Sequence, residues 1–298
     1  MAEDTPALVV VGAATRDLDA SDPRGWRLGG TVTYSSMAAA RLGARVVALV
    51  GVDAEAATAA EIDILRAAGV EVELVRLARG PVFDNQQTPS GRVQVAQSVS
   101  DAIPVEALPP AWRRPAAVLL GPVAGELSDG WADAFPASAF VALAVQGLVR
   151  SLSPGKPVLS LPLRRGALIE RANAMLISAE DVGAGAPPLS ELLHPGQQLV
   201  VTHGDRGALH IRSQQTGLRA RYMPPLPRRT ATDTTGAGDT FLAAWLAARL
   251  LSGADDWRAL AVAAAMASLS VERTKLEDTP TVAEVCRALV TLRDGLPD

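Results

Sequence analysis

Residues 232–241, TDTTGAGDTF, concentrate the residue types and spacing that could do chemistry in this chain. Gly236, Ala237 and Gly238 carry no bulky side chains, so a ligand can approach their backbone N–H groups closely. The run from Thr240 to Leu251 is rich in helix formers, which places the small residues at a helix start. A helix start offers unpaired N–H groups and the positive end of the dipole, and so favours an anion. Asp239 then sets a carboxylate where the backbone is prepared for some other anion. Taken alone, such an aspartate need do no more than favour the first helical turn.

A site of this kind needs a scaffold. Near-continuous apolar runs at 7–15, 45–53, 116–126, 140–150, 174–181 and 197–212 read as buried strands, each ending in glycine and polar residues. Helical segments at 34–44 and 54–70 separate the first of them, giving the β-α-β-α order of a parallel sheet covered on both faces. In such sheets ligands sit at the C-terminal ends of the strands. Residues 71–100 instead alternate polar and apolar positions between turn residues, which predicts an antiparallel flap outside the main sheet. After Asp239 the chain reads as helical to its end, with no linker dividing two domains.

Composition limits the function classes. With 298 residues, 48% hydrophobic and 20% charged, the chain can bury a large core. A net charge of −4 gives no reason to expect nucleic acid as a partner. The single Cys286 excludes an internal disulfide framework and a cysteine metal cluster, which fits a cytoplasmic protein. His194, His203 and His210 lack metal-ligand spacing. No apolar stretch approaches the roughly 20 residues of a membrane span, and the acidic N-terminus does not read as a secretory signal. The first strand leads into GAATRD, without GxGxxG, and no GK[ST] pattern is present, so dinucleotide and P-loop folds are set aside.

Asp233 followed by Gly236, Ala237, Gly238 and Asp239 resembles the second signature of the ribokinase, or PfkB, family of carbohydrate kinases. The resemblance implies a three-layer α/β fold, with a mostly parallel central sheet flanked by helices and a small antiparallel β lid from about 13–33 and 71–100. It implies a single domain over 1–298 and ATP-dependent phosphoryl transfer to a hydroxyl of a small polyol, sugar or nucleoside. Asp239 would be the general base, and the backbone at 236–239 the anion hole for the moving phosphoryl group. Base and clamp would then share one rigid helix start and act on the same pair of atoms.

Other positions follow the same resemblance. Thr202, Gly204 and Gly207 fill the nucleotide-loop pattern, with Asp233 beside the nucleotide. Ser178 and Asp181, with Glu180 between, align with a motif that arranges magnesium through water, although the family's asparagine and glutamate are absent. Turn and cap roles are the alternative there. Asp17, Gly29 and Gly30 match acceptor-binding positions, while Thr33, Tyr34 and Ser35 stand where an asparagine is common. FDNQQTPSGRVQ and VQGLVR resemble the branch that includes plant myo-inositol kinases, which assigns Asn85 and Arg92 to the lid and Gln146 and Arg150 to the pocket or a phosphate. Expected cofactors are ATP and Mg2+, with a monovalent cation near the loop after Asp233 as a further candidate. A monomer or a homodimer is expected, without nucleic acid or membrane. The competing reading is a catalytically silent relative that binds nucleotide or sugar as a sensor or assembly partner.

Overall fold

The computed structural model describes residues 8–88, 91–182, 185–226, 230–253 and 255–295, without the side chains of 87–88, 91–92 and 291–295. In chain order the strands are β1 (Leu8–Ala13), β2 (Thr15–Leu18), β3 (Trp26–Gly29), β4 (Val46–Val52), β5 (Glu71–Arg76), β6 (Val82–Thr88), β7 (Gly91–Ser98) and β8 (Ala117–Leu120). They continue as β9 (Phe140–Ala144), β10 (Arg150–Ser151), β11 (Lys156–Pro157), β12 (Leu159–Ser160), β13 (Ala174–Ser178), β14 (Gln198–Thr202), β15 (Ala208–Gln214) and β16 (Gly217–Met223). The helices are α1 (Thr31–Arg41), α2 (Ala60–Ala67), α3 (Ala167–Arg171), α4 (Leu189–Leu192), α5 (Ala237–Ser252), α6 (Asp256–Ser270) and α7 (Val282–Gly295).

The main sheet runs β16-β15-β14-β13-β9-β8-β1-β4-β5, parallel from β5 to β14 and antiparallel at β15 and β16. The strands β1, β4, β8 and β9 are apolar at every position because both faces are covered. Along β1 the side chains divide by alternation: Leu8 and Val10 join one core, and Val9 and Val11 the other. The first core takes in α1, α2, α5 and α6. Each fully buried Val or Leu stabilises the fold by about 1.5–3 kcal/mol. Helix α5 is buried from Thr240 through Ala248, since α1, α6 and the sheet surround it. Asp255 caps α6 by accepting hydrogen bonds from the N–H groups of Trp257 and Arg258.

A second sheet, β11-β7-β6-β2-β3, forms the lid. Four expectations need correction. Residues 71–76 are not part of the lid: β5 is the edge strand of the main sheet, parallel to β4. Its alternation arises because an edge strand keeps one wet face, with Glu71, Glu73 and Arg76 turned outward. The lid is also mixed rather than purely antiparallel, since β2 pairs in parallel with β6. Its N-terminal part ends at Gly29, and residues 31–33 already belong to α1. The helix expected over 54–70 is shorter, because a 3-10 turn at Ala56–Thr58 precedes α2.

Candidate active site

Helix α5 begins at Gly236, whose φ of +73° is left-handed. Glycine is required there twice over, because a Cβ would also lie 2.4 Å from the Tyr34 ring. Asp239 follows in the first turn, where helix geometry gives the N–H groups of Gly238 and Asp239 no intrahelical partner. Ala237 differs from expectation: its N–H already donates to Thr234 O at 3.3 Å. Of the N–H groups expected to face an anion, those of Gly238 and Asp239 are therefore uncommitted and that of Ala237 is not.

Helix α1 starts beside it. Gly30, with a φ of +92°, lets α1 begin directly after the lid strand β3. Thr31, the first residue of α1, donates its hydroxyl to Asp239 Oδ1 at 2.7 Å. Gly121 makes room for it, since a Cβ at 121 would stand 2.4 Å from Thr31 Cγ2. Ser35 Oγ donates to the Asp239 carbonyl at 3.1 Å, which fixes the two helix starts to each other. Burial pushes the Asp239 carboxyl up to about 6, with Asp17 and Asp181 adding to the rise, while Thr31 and Arg150 hold it back.

These groups face a cavity of about 670 Å³ that runs from the lid to the far end of α6. Among the expected acceptor residues, Asp17, Gly30, Asn85, Gln146 and Arg150 line it. Gln94, which was not singled out in the sequence, bridges them. Its amide donates to Asn85 Oδ1 at 2.9 Å, and its carbonyl accepts from Arg150 at 2.9 Å. Arg150 reaches on to Asp181 at 3.1 Å, so a polar chain crosses from lid to main sheet. Gly29 stands behind the wall: a Cβ there would lie 2.3 Å from Asp17 Oδ2, so its smallness admits that carboxylate. Arg92 pairs with Gln87 in the lid, two positions from Gln94, and its side chain lies outside the described residues.

At the other end of the cavity stand Thr202, Gly204 and Gly207. Gly207 has a φ of +86° and leaves no room for a Cβ, which would fall 2.3 Å from Met223 O. Pro224, Pro225, Ala264, Ala267, Ser268 and Val271 complete the lining of this end with small and apolar groups. Sequence reasoning missed this lining, because small apolar residues along a helix read as core. Asp233, expected at the nucleotide, is not in the cavity wall. Its Oδ1 accepts from Thr235 N–H at 2.9 Å and its Oδ2 from Arg27 at 3.2 Å, so the carboxylate is committed to the turn.

Ser178, Glu180 and Asp181 line the cavity edge. Ser178 Oγ accepts from Glu180 N–H at 3.3 Å, a turn contact, and Asp181 is shared with Arg150. Among the described residues no group of three His, Cys, Asp or Glu side chains could hold a metal ion, and no helix is long and apolar enough to cross a membrane. Glu126 is fully buried nearby, and burial raises its carboxyl above the usual range. It accepts from the N–H groups of Ala13, Val123 and Ala124 at 2.8–3.1 Å, tying the end of β1 to the loop after β8.

Comparisons with known proteins bear on the fold. Residues 172–282 match the pfkB family carbohydrate kinases. A fructokinase of Salmonella thompson is 31% identical over 129 residues, which is 43% of this chain and 48% of that protein. One of Salmonella typhimurium has the same identity over 43% of this chain and 35% of its own length. The chain thus spans half or less of the length of these curated relatives. Among solved structures, a pyrophosphate-dependent kinase of the ribokinase family, complexed with a pyrophosphate analog and myo-inositol, superposes with a TM-score of 0.72. Identity to it is 19%, over 91% of this chain and 98% of that one. Arabidopsis thaliana ribokinase with ribose and ATP gives 0.66 at 19% identity, covering 96% of this chain and 99% of that one. The nucleoside kinase of Methanocaldococcus jannaschii gives 0.69 at 16%, over 96% and 99%. The fold is ribokinase-like.

Proposed function

We propose that this chain, whose segment 172–282 is of the pfkB carbohydrate kinase family, transfers the γ-phosphoryl group of ATP to a hydroxyl of a small polyol, sugar or nucleoside. The observation that carries this reading is the Thr31-held Asp239 carboxyl, raised to about 6, at the N-terminus of α5 inside the cavity. A carboxyl with that value is largely ionised at neutral pH and still a better proton acceptor than an ordinary aspartate.

In the proposed reaction Asp239 takes the proton of the acceptor hydroxyl as its oxygen bonds to the γ-phosphorus. The bond from the γ-phosphorus to the bridging oxygen breaks, and ADP leaves with that oxygen's electron pair. Charge on the moving group is met by the Gly238 and Asp239 N–H groups and by the dipole of α5. Magnesium, bound with the triphosphate, would neutralise its oxygens. Asp181 and Glu180 are the carboxylates at that edge of the cavity. Among the described residues no third metal-capable side chain joins them, and their part would be to orient water around the ion.

Two further features support the finer reading. The small and apolar lining from Pro224, Pro225 and α6 suits an apolar ring face and favours a nucleotide donor. The acceptor wall carries Asp17, Asn85, Gln94, Gln146 and Arg150, donors and acceptors in number, which suits a compound with several hydroxyls. The test is phosphate transfer from ATP, and separately from pyrophosphate, to a panel of inositols, pentoses, hexoses and nucleosides. Wild type is run beside Asp239→Asn. Turnover that the substitution abolishes supports the kinase; equal rates would remove Asp239 as base. Nucleotide binding without turnover of any acceptor would favour a silent binding protein.

A further inference from the structure

The resemblance implies a monovalent cation beside the loop after Asp233, and the oxygens there are already taken. Arg27, on lid strand β3, places its guanidinium among three elements. One nitrogen bonds Asp233 Oδ2 at 3.2 Å, another donates to Thr274 O at 2.8 Å, and Nε lies 2.6 Å from Asp19 Oδ2. Two carboxylates and a carbonyl around one position are hard oxygen donors of the kind that hold a cation. Here the cation is covalent. The Asp233 turn is also fixed from behind, since the N–H groups of Thr232 and Asp233 donate to Val271 O at 2.6 and 3.1 Å. Oδ1 of Asp233 holds Thr235, and the next residue, Gly236, rests on the Tyr34 ring.

We propose that Arg27 is a positioning residue that substitutes for a dissolved cation, fixing the Asp233–Gly236 turn and joining the seat of the lid to the anion site of α5. The proposal rests on the anion-site reading given above, but one of its tests needs no ligand. A planar fork suits this place better than an ammonium, because its two terminal nitrogens hydrogen-bond separate oxygens, Thr274 O and Asp233 Oδ2, while the charge stands beside Asp19 as an ion pair. Neutral side chains at 27 leave two carboxylates and a carbonyl facing one another without a counter-charge.

The experiment compares wild type, Arg27→Ala and Arg27→Lys in potassium chloride and in tetramethylammonium chloride at equal ionic strength. Thermal midpoints and the affinity for inorganic phosphate by calorimetry are both read. Wild type is expected to have the same midpoint and affinity in both salts. Arg27→Ala is expected to bind phosphate about tenfold more weakly in tetramethylammonium, and millimolar guanidinium is expected to restore most of the loss, which a merely structural lesion would not permit. Arg27→Lys keeps the charge and is expected to fall between the two. A wild-type midpoint that rises with potassium would overturn the proposal, as would an Arg27→Ala affinity equal to wild type or a loss that guanidinium leaves unchanged. Phosphate binding absent from wild type would instead count against the anion site, and the midpoints would still decide the role of Arg27. Should Arg27→Ala not fold, wild type and Arg27→Lys carry the comparison.

Discussion

Thr31 Oγ1 donates to Asp239 Oδ1 at 2.7 Å, joining the first turns of two helices 208 residues apart in the chain. The bond selects one orientation of the carboxyl, leaving the second oxygen for the cavity. Thr31→Val keeps the shape and removes the donor. Because this bond holds the Asp239 pKa down, its loss should move the acid limb of the pH–rate profile to higher pH. The rate at neutral pH should fall by about tenfold through lost orientation. Gly121→Ala should act alike by displacing Thr31. A Thr31→Val profile superimposable on wild type would remove Thr31 from the site.

The pH dependence of the wild type follows from Asp239. As the proposed base, Asp239 would work ionised, so kcat/KM should be low at pH 5, rise through about 6 and level off above 7. In Asp239→Asn that limb should vanish and kcat should drop by about 10²–10⁴. A pH series of initial rates decides this.

Asp239 should also affect stability, in the opposite direction from its proposed use in catalysis. Its folded pKa of about 6 lies above the ordinary aspartate value of 3.8, so the folded state holds that proton more tightly than the unfolded chain does. The stabilisation is complete below 3.8 and is lost as pH rises through 6. Asp239→Asn removes this loss, and should raise stability at pH 7.5 by about 1–3 kcal/mol, with no gain at pH 4. Denaturant unfolding at both values measures it.

Gly236→Ala carries two penalties. A left-handed residue with a Cβ costs about 1–2 kcal/mol, and this Cβ meets the Tyr34 ring at 2.4 Å. The turn into α5 must shift, so phosphate affinity should fall together with the thermal midpoint. Unchanged phosphate binding would mean that the anion site does not depend on this turn.

Glu126→Gln tests the acceptor side from behind. The carboxylate accepts from three backbone N–H groups, whereas an amide turns one of its two acceptor positions into a donor. A stranded buried donor costs about 1–3 kcal/mol. The same loop receives Gly147, whose N–H donates to Pro122 O at 3.0 Å and whose missing Cβ would lie 2.4 Å from that oxygen. Gln146 sits on this contact, so KM for the acceptor should rise more than kcat falls. Steady-state kinetics separate the two.

By itself the sequence determined the layers and the helix start that carries Asp239. Continuous apolar strands predict a sheet covered on both faces, and small residues before an alanine-rich run predict an exposed helix start. These are local consequences of side-chain volume and backbone freedom, and they are written in consecutive residues. Pairings between distant segments are not, because a hydrogen bond depends on where the chain returns. Thr31 on Asp239, Gln94 between Asn85 and Arg150, and Arg27 on Asp233 each required the folded geometry. The same holds for β5, where an edge strand and a lid strand have one alternating pattern and only the neighbour, β4, tells them apart. Asp233 was legible as a motif residue, but its carboxylate faces the turn and a lid arginine rather than the cavity, and only tertiary contacts decide which way a carboxylate faces.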